Sequence, residues 1–221
     1  MSRVSILMRL LDEKVVAIIR LKSNQYVQEV LKHIAAGGLS SLEITSNTPK
    51  FDMELVKARK ALPEALIGAG TIYTAELARI AIESGAQYLV TPSLNVEVID
   101  LAHKHDIPVL MGCMTPTEIA VAVENGADII KLFPAGNLGI DYFKAIKAPF
   151  SDTPFFAVGS IKTNDMPSWV QAGASGFGVG SSLFSSELNS LEACKAITAN
   201  TSTLVEMIYK IKKDCPKEQS S

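Results

Sequence analysis

Eight short apolar or β-branched runs recur along this chain, beginning near residues 15, 41, 66, 88, 107, 129, 155 and 176. The intervals of 19 to 26 residues are about what one strand and its return helix need when successive strands lie parallel. The runs are Val15–Arg20, Ser41–Thr45, Leu66–Thr71, Tyr88–Pro92, Ile107–Cys113, Ile129–Phe133, Phe155–Gly159 and Gly176–Gly180. Between them, Gln25–Ala36, Phe51–Ala61, Thr74–Ser84, Val96–Lys104, Pro116–Asn125, Ile140–Ile146 and Thr163–Ala172 carry the apolar period of helices. Four helical segments stop alike, at Gly37-Gly38-Leu39, Gly85-Ala86-Gln87, Gly126-Ala127-Asp128 and Gly173-Ala174-Ser175. No Pro- or Ser-rich linker interrupts the alternation. It predicts an α/β protein with one domain over 1–221, a single (β/α)8 TIM barrel. An extra N-terminal helix precedes the first strand, and a last amphipathic helix runs from Leu188 to about Lys210, followed by a polar tail. A doubly wound open sheet is the alternative, but it leaves strands over, and the first βα turn lacks the glycine fingerprint of a dinucleotide site.

Composition narrows the function classes. The 21 Lys and Arg are scattered among 23 Asp and Glu, with no basic stripe and no interleaved aromatics, which excludes a nucleic-acid surface. No apolar run is long enough to span a membrane and the N-terminus lacks a signal-peptide core, so a cytoplasmic location is expected. Cys113, Cys194 and Cys215 are odd in number and lack CxxC spacing, so free thiols are expected rather than disulfides or a zinc site.

Within the sixth run, Asp128-Ile129-Ile130-Lys131-Leu132-Phe133-Pro134-Ala135, one lysine interrupts a strand otherwise fit for burial on both faces. A cation there must be paired, or lose its proton and become a nucleophilic amine. In a barrel, polar residues at the C-terminal ends of strands converge on one mouth. Counting by twos, Arg20 follows Val16 and Ile18, Thr71 follows Ala69, Thr91 follows Leu89, and Lys131 lies between Ile129 and Phe133. Lys131 on the sixth strand and Glu43 on the second sit on even-numbered strands and so can face each other across the interior. A neutral lysine adds to a ketone, the resulting iminium withdraws electrons, and the adjacent C–C bond can break to leave an enamine. The steps need a proton carrier, for which Glu43 is placed. Bringing a lysine from about 10.4 to about 7–8 costs roughly 3–5 kcal/mol of differential ion stability, which an apolar interior supplies. A plain buried ion pair with no chemistry is the alternative for Lys131 and Glu43, and Arg20 could serve as a counter-ion.

Two Gly-Ser turns close the last two strands, Gly159-Ser160 and Gly180-Ser181, each passing toward a helical segment with free backbone N–H groups suited to an anion such as phosphate. Tight turns alone would explain either one singly; the pair is more specific. The three histidines, His33, His103 and His105, fall on helical segments rather than strand ends, which argues against a metal-dependent site. Cys113 is expected to point inward near the mouth as a small apolar residue without a histidine to activate it.

With these residues on the page, the chain resembles the 2-keto-3-deoxy-6-phosphogluconate aldolase family, which includes 2-keto-3-deoxy-6-phosphogalactonate and 4-hydroxy-2-oxoglutarate aldolases. The shared motifs are Val15-Val16-Ala17-Ile18-Ile19-Arg20, Leu42-Glu43-Ile44-Thr45, Gly68-Ala69-Gly70-Thr71, Thr91-Pro92, Gly112-Cys113-Met114-Thr115-Pro116-Thr117-Glu118, Lys131-Leu132-Phe133-Pro134-Ala135 and Gly178-Val179-Gly180-Ser181. The resemblance implies a metal-independent, cofactor-free class I aldolase, usually a homotrimer. Its activity would cleave a phosphorylated keto-deoxy sugar acid to pyruvate and glyceraldehyde 3-phosphate, or 4-hydroxy-2-oxoglutarate to pyruvate and glyoxylate. It implies Lys131 as the Schiff-base lysine, Glu43 as the acid/base residue, Arg20, Asn47, Thr71, Thr91, Pro92 and Phe133 at the substrate, and Gly159, Ser160, Gly180 and Ser181 at the phosphate. Asn47 stands where phosphogluconate-type members have arginine, and Val158 and Ser160 where many have Thr and Gly; Asn47 and Val158 lean toward the phosphogalactonate type. An amide cannot replace the charge or the bidentate fork of a guanidinium. A sugar-phosphate isomerase or epimerase, or a silent sugar-phosphate-binding barrel, is the other reading, and it needs Lys131 only as a charge.

Overall fold

The computed structural model describes residues 1–185, 188 and 191–214. Eight parallel strands close into a barrel in sequence order: β1 (Val15–Ile19), β2 (Ser41–Thr45), β3 (Leu66–Gly70), β4 (Leu89–Val90), β5 (Val109–Cys113), β6 (Ile129–Leu132), β7 (Phe155–Val158) and β8 (Gly176–Val179). The helices are α1 (Arg3–Glu13), α2 (Val27–Ala36), α3 (Phe51–Ala61), α4 (Ala75–Glu83), α5 (Val96–Lys104), α6 (Pro116–Glu124), α7 (Ala135–Leu138), α8 (Ile140–Lys147), α9 (Met166–Gln171) and α10 (Leu191–Asp214). The expected barrel and its extra N-terminal helix are both present. Two details differ from the periodicity. A single turn of helix, α7, follows β6 directly, and the segment before α9 is a 3-10 turn over Thr163–Asp165. Cys215 and the tail after it lie outside the described residues.

Local chemistry explains the boundaries. Ser2, Thr74, Asn95 and Thr115 cap the N-termini of α1, α4, α5 and α6 through side-chain oxygens, and Thr115 with Glu118 forms a reciprocal capping box. β4 is only two residues long because Pro92 follows it and its partner strand begins just after Pro108.

Two apolar clusters result. The larger lies between the strands and the helices and includes Val15, Ala17, Ile19, Leu42, Ile44, Ile67, Ala69, Leu89, Val109 and Met111. The smaller fills the barrel interior with Val16, Leu66, Tyr88, Val90, Leu110, Ile129, Phe156 and Val158, and Ile6 and Leu10 of α1 join it. α1 therefore seals the N-terminal end of the barrel. Arg3 reinforces it by pairing with Asp128 at 3.3 Å, and Arg9 donates to Ser40 Oγ at 3.0 Å.

This division corrects three expected directions. Cys113 belongs to the outer cluster with Val109 and Met111, because the inward row of β5 is Leu110 and Gly112. Thr91 likewise follows outward-facing Leu89; its hydroxyl donates to Met111 Sδ at 3.1 Å and accepts from the Gly112 N–H at 2.7 Å, fastening β4 to β5. Thr71 follows outward-facing Ala69 and takes a left-handed backbone, φ 58°, which returns its hydroxyl to the mouth.

Candidate active site

At the C-terminal ends of the strands a cavity of about 610 Å3 opens, lined among others by Ile18, Arg20, Glu43, Pro92, Lys131 and Phe133. Gly159, Ser160, Gly180 and Ser181 line it as well. Nine of those ten residues were expected at the site from the sequence alone; Ile18, which belongs to the inward row of β1, was not. Ser182 and Ser185, together with Val158, Ile161 and Phe184 and the β8 residues Gly178 and Val179, complete the wall. Val158 was singled out from the family pattern alone; the serines and Ile161 were missed because a serine or isoleucine in a turn carries no pattern of its own, and Phe184 because it lies beyond the last strand. Asn47, Thr71 and Thr91 do not line the cavity. Asn47 is exposed in the turn after β2, Thr91 is buried behind the strand, and Thr71 acts at one remove by accepting from Arg20 Nη2 at 3.1 Å.

Lys131 and Glu43 rise into the cavity floor from opposite sides of the barrel, 6 % and 2 % exposed respectively. Register places Lys131 beside Gly112 and Phe156, and Glu43 beside Ile18 and Gly68. Among the described residues neither side chain makes a hydrogen bond or a salt bridge; the Lys131 ammonium sits 5.1 Å from the centroid of the Phe133 ring. What positions Glu43 is an absence of bulk: a β-carbon on Gly70 would fall on its carboxyl group, 2.7 Å from Cγ.

Burial drives both groups toward neutrality. The Lys131 ammonium is held below the usual lysine range by desolvation, assisted by Arg20 and opposed by the Glu43 charge. Desolvation likewise pushes the Glu43 carboxyl above its usual range, against the attraction of Lys131 and Arg20. An amine and a carboxyl thus share one cavity without being locked into an ion pair, the arrangement in which perturbed groups mark a candidate acid/base site rather than a structural bridge. Cys113 offers no competing nucleophile: burial and the Glu118 charge push its thiol up to about 12.

The far wall is built from backbone. Gly159 has φ 98° and Ser160 φ 56°, the left-handed region that directs N–H groups into a turn, and Gly136 N–H ties α7 to the Gly159 carbonyl at 2.8 Å. The turn at the end of β7 leads into the Thr163–Asp165 turn, and that of β8 into one helical turn in which Leu183 N–H reaches the Gly180 carbonyl at 2.9 Å. No group of three or more His, Cys, Asp or Glu able to hold a metal occurs among the described residues, and no helix there is long and apolar enough to cross a membrane. A second cavity of about 270 Å3 lies at the sealed end of the barrel, where Asp12 pairs with Lys212 at 3.5 Å and Glu13 is held by Ser40 and Ser41.

Comparison with known proteins agrees with this fold. A family model described as "Aldolase: KDPG and KHG aldolase" matches residues 6–200. The 2-dehydro-3-deoxy-6-phosphogalactonate aldolase of Escherichia coli K12 is 37% identical over 161 residues, 71% of this chain and 78% of that protein. A solved structure described as native KDPGal superposes with a TM-score of 0.83 at 31% identity, covering 90% of this chain and 96% of the other. A KDPG aldolase from Legionella pneumophila, solved with pyruvate captured as a covalent carbinolamine, superposes with a TM-score of 0.73 at 26% identity over 90% of this chain and 93% of the other.

Proposed function

This chain belongs to the KDPG and KHG aldolase family, and from that membership we propose that it is a class I aldolase whose imine forms on Lys131. The observation that carries the reading is the placement of one desolvated amine and one desolvated carboxyl in the same cavity, with no bond to each other. The proposed substrate is a 2-keto-3-deoxy-6-phospho sugar acid of gluconate or galactonate configuration. The name of the Escherichia coli relative and the residues Asn47 and Val158 favour the galactonate form.

The neutral Lys131 amine adds to the C2 ketone to give a carbinolamine, and loss of water leaves an iminium. Glu43, directly or through one water, removes the C4 hydroxyl proton. The C3–C4 electron pair then moves into the iminium as an enamine, and glyceraldehyde 3-phosphate leaves. The proton returns to C3, and hydrolysis frees pyruvate and the amine. Arg20, at the rim and steadied by Thr71, supplies the positive charge for the substrate carboxylate. The turns at Gly159-Ser160 and Gly180-Ser181 face the phosphate with backbone N–H groups and hydroxyls. Cleavage of 4-hydroxy-2-oxoglutarate is proposed as a second activity of the same imine, and a homotrimer as the assembly.

Borohydride trapping with pyruvate, read by intact mass and peptide mapping, tests the assignment. The expected result is a stable adduct on the Lys131 peptide of wild type, absent in Lys131→Ala and in Lys131→Arg, since a guanidinium forms no imine. A folded Lys131→Arg that still cleaves substrate would refute it and favour a barrel that uses the residue only as a charge.

A further inference from the structure

One polar group in the barrel interior has no part in the chemistry above. Tyr88 is fully buried in the inner cluster, and its hydroxyl has no hydrogen-bond partner among the described residues. Native interiors rarely leave a buried hydroxyl so. Its neighbours fix where it aims. A β-carbon on Gly68 would lie 2.6 Å from Tyr88 Cδ2, so the ring leaves the start of β4 and lies over β3, toward β2. The inward residues of β2 are Ser41 and Glu43, and Glu43 is the register partner of Gly68. The Glu43 carboxyl in turn rests over Gly70, the next inward position of β3. Ring and carboxyl thus occupy successive places on one strand, about 7 Å apart along it; one water links oxygens up to about 5.5 Å apart, so the bridge requires the phenol oxygen to lean from Gly68 toward Gly70. Below, Ser41 Oγ is already committed to Glu13.

We propose that Tyr88 is a positioning residue for Glu43: its hydroxyl donates, through one buried water, to the Glu43 carboxylate and fixes where that carboxylate receives and returns its proton. The inference rests on the reading of Glu43 as the proton carrier. The other charged groups facing Glu43 are Arg20 from β1 and Lys131 from β6, with Glu13 of α1 farther below. The inward rows of β3, β5, β7 and β8 offer glycines and apolar side chains only. Burial, with Glu43 and Glu13 adding to it, holds the phenol well above its usual range, so it stays a donor at working pH. Deleting a donor to a carboxylate raises that carboxylate's pKa.

The test is Tyr88→Phe, which removes only the hydroxyl and keeps the ring on Gly68. The readout is the exchange of pyruvate methyl protons with D2O across pH 5–9, a partial reaction that needs the imine and the proton carrier but no sugar phosphate. The expected result is a rate lowered about tenfold, the worth of one hydrogen bond to a charged group, with pyruvate KM and melting temperature little changed. The acid limb of the profile moves to higher pH, and in a Glu43→Gln background the same change has less than about a twofold effect, as residues acting through one another require. An unchanged rate and acid limb, or an equal loss in the Glu43→Gln background, overturns the inference. Wild type that neither traps pyruvate on Lys131 nor exchanges its protons sinks the reading of the site and this inference with it. Wild type that does both, beside an indistinguishable Tyr88→Phe, sinks this one alone.

Discussion

Gly70→Ala isolates the placement of Glu43 from its chemistry. The backbone at Gly70 lies outside the left-handed region, so alanine meets no conformational penalty there. Its methyl carbon, however, would fall on the Glu43 carboxyl and 2.7 Å from Cγ. Ordinary carbon contacts are about 3.5–4 Å, so the carboxyl must move by about 2 Å. The obstacle is the far end of a flexible side chain, and the stability cost should sit at the low end of the roughly 1–3 kcal/mol of overpacking. The rate should suffer much more. A misplacement of about 1 Å costs on the order of 10²-fold, and general acid–base catalysis is worth about 10²–10⁴-fold, so kcat for aldol cleavage should fall at least about 10²-fold. The substrate KM should move little, since Arg20 and the two glycine turns are untouched. The assay is steady-state release of pyruvate, with the melting temperature measured alongside. A folded Gly70→Ala enzyme within about threefold of the wild-type kcat would refute the claim that carboxyl placement over this glycine limits the reaction.

Three other consequences follow from groups outside the cavity. Glu54 is 1 % exposed; burial raises its pKa, but bonds from Lys57 at 2.8 Å, Gln28 at 2.6 Å and Asn24 at 3.2 Å outweigh burial and lower it. A depressed folded-state pKa contributes stability present above the unfolded value and lost as pH falls through the folded one. Urea midpoints followed downward from pH 5 should therefore drop less steeply in Glu54→Gln than in wild type, and identical slopes would count against the network. Asp128 accepts from Val109 N–H at 2.9 Å and binds His103 Nε2 at 3.0 Å and Arg3 Nε at 3.3 Å. Asp128→Ala strands a buried N–H and loosens the helix that seals the barrel, at about 1–3 kcal/mol, which thermal melts would show with the trapping reaction intact. Cys113, 2 % exposed with its thiol raised to about 12, should resist iodoacetamide at pH 8 in the native protein and react in urea; native labelling at the rate of a free cysteine would contradict its burial.

The barrel was legible because its signal is carried by spacing, which survives local error. The strand starts agree within two residues of the runs, and β4 could shrink to Leu89–Val90 without disturbing the order. Lys131 and Glu43 were legible for a different reason, since a charge inside an apolar run is conspicuous whichever face it takes. The directions of Thr71, Thr91 and Cys113 were not. Alternation was counted from the wrong neighbour in each, because the true inward residues at those levels are Gly70, Val90 and Gly112, and a glycine or valine at a strand end does not advertise a face. Asn47 drew notice through a family pattern rather than through geometry, and it lies exposed outside the cavity.

The glycines that hid the alternation also create the site. An eight-stranded barrel is narrow enough for ordinary side chains to fill it completely. Here the inward row of β3 is Leu66, Gly68 and Gly70, and each glycine admits a side chain from another strand: Tyr88 over the first, Glu43 over the second. Gly112 on β5 admits the backbone at Pro92 and Ser93, Gly176 the ring of Phe156, and Gly178 the side chains of Val158 and Ile18. In the lower layers every missing side chain is replaced, and the floor is packed and sealed by α1. At the top the replacements are a carboxyl and a lysine that make no hydrogen bond or salt bridge among the described residues, and a cavity remains above them. Under the proposed mechanism, a carboxyl placed by the shape of β3, with only the water-borne bond inferred from Tyr88 to aim it, keeps lone pairs for a proton in transit.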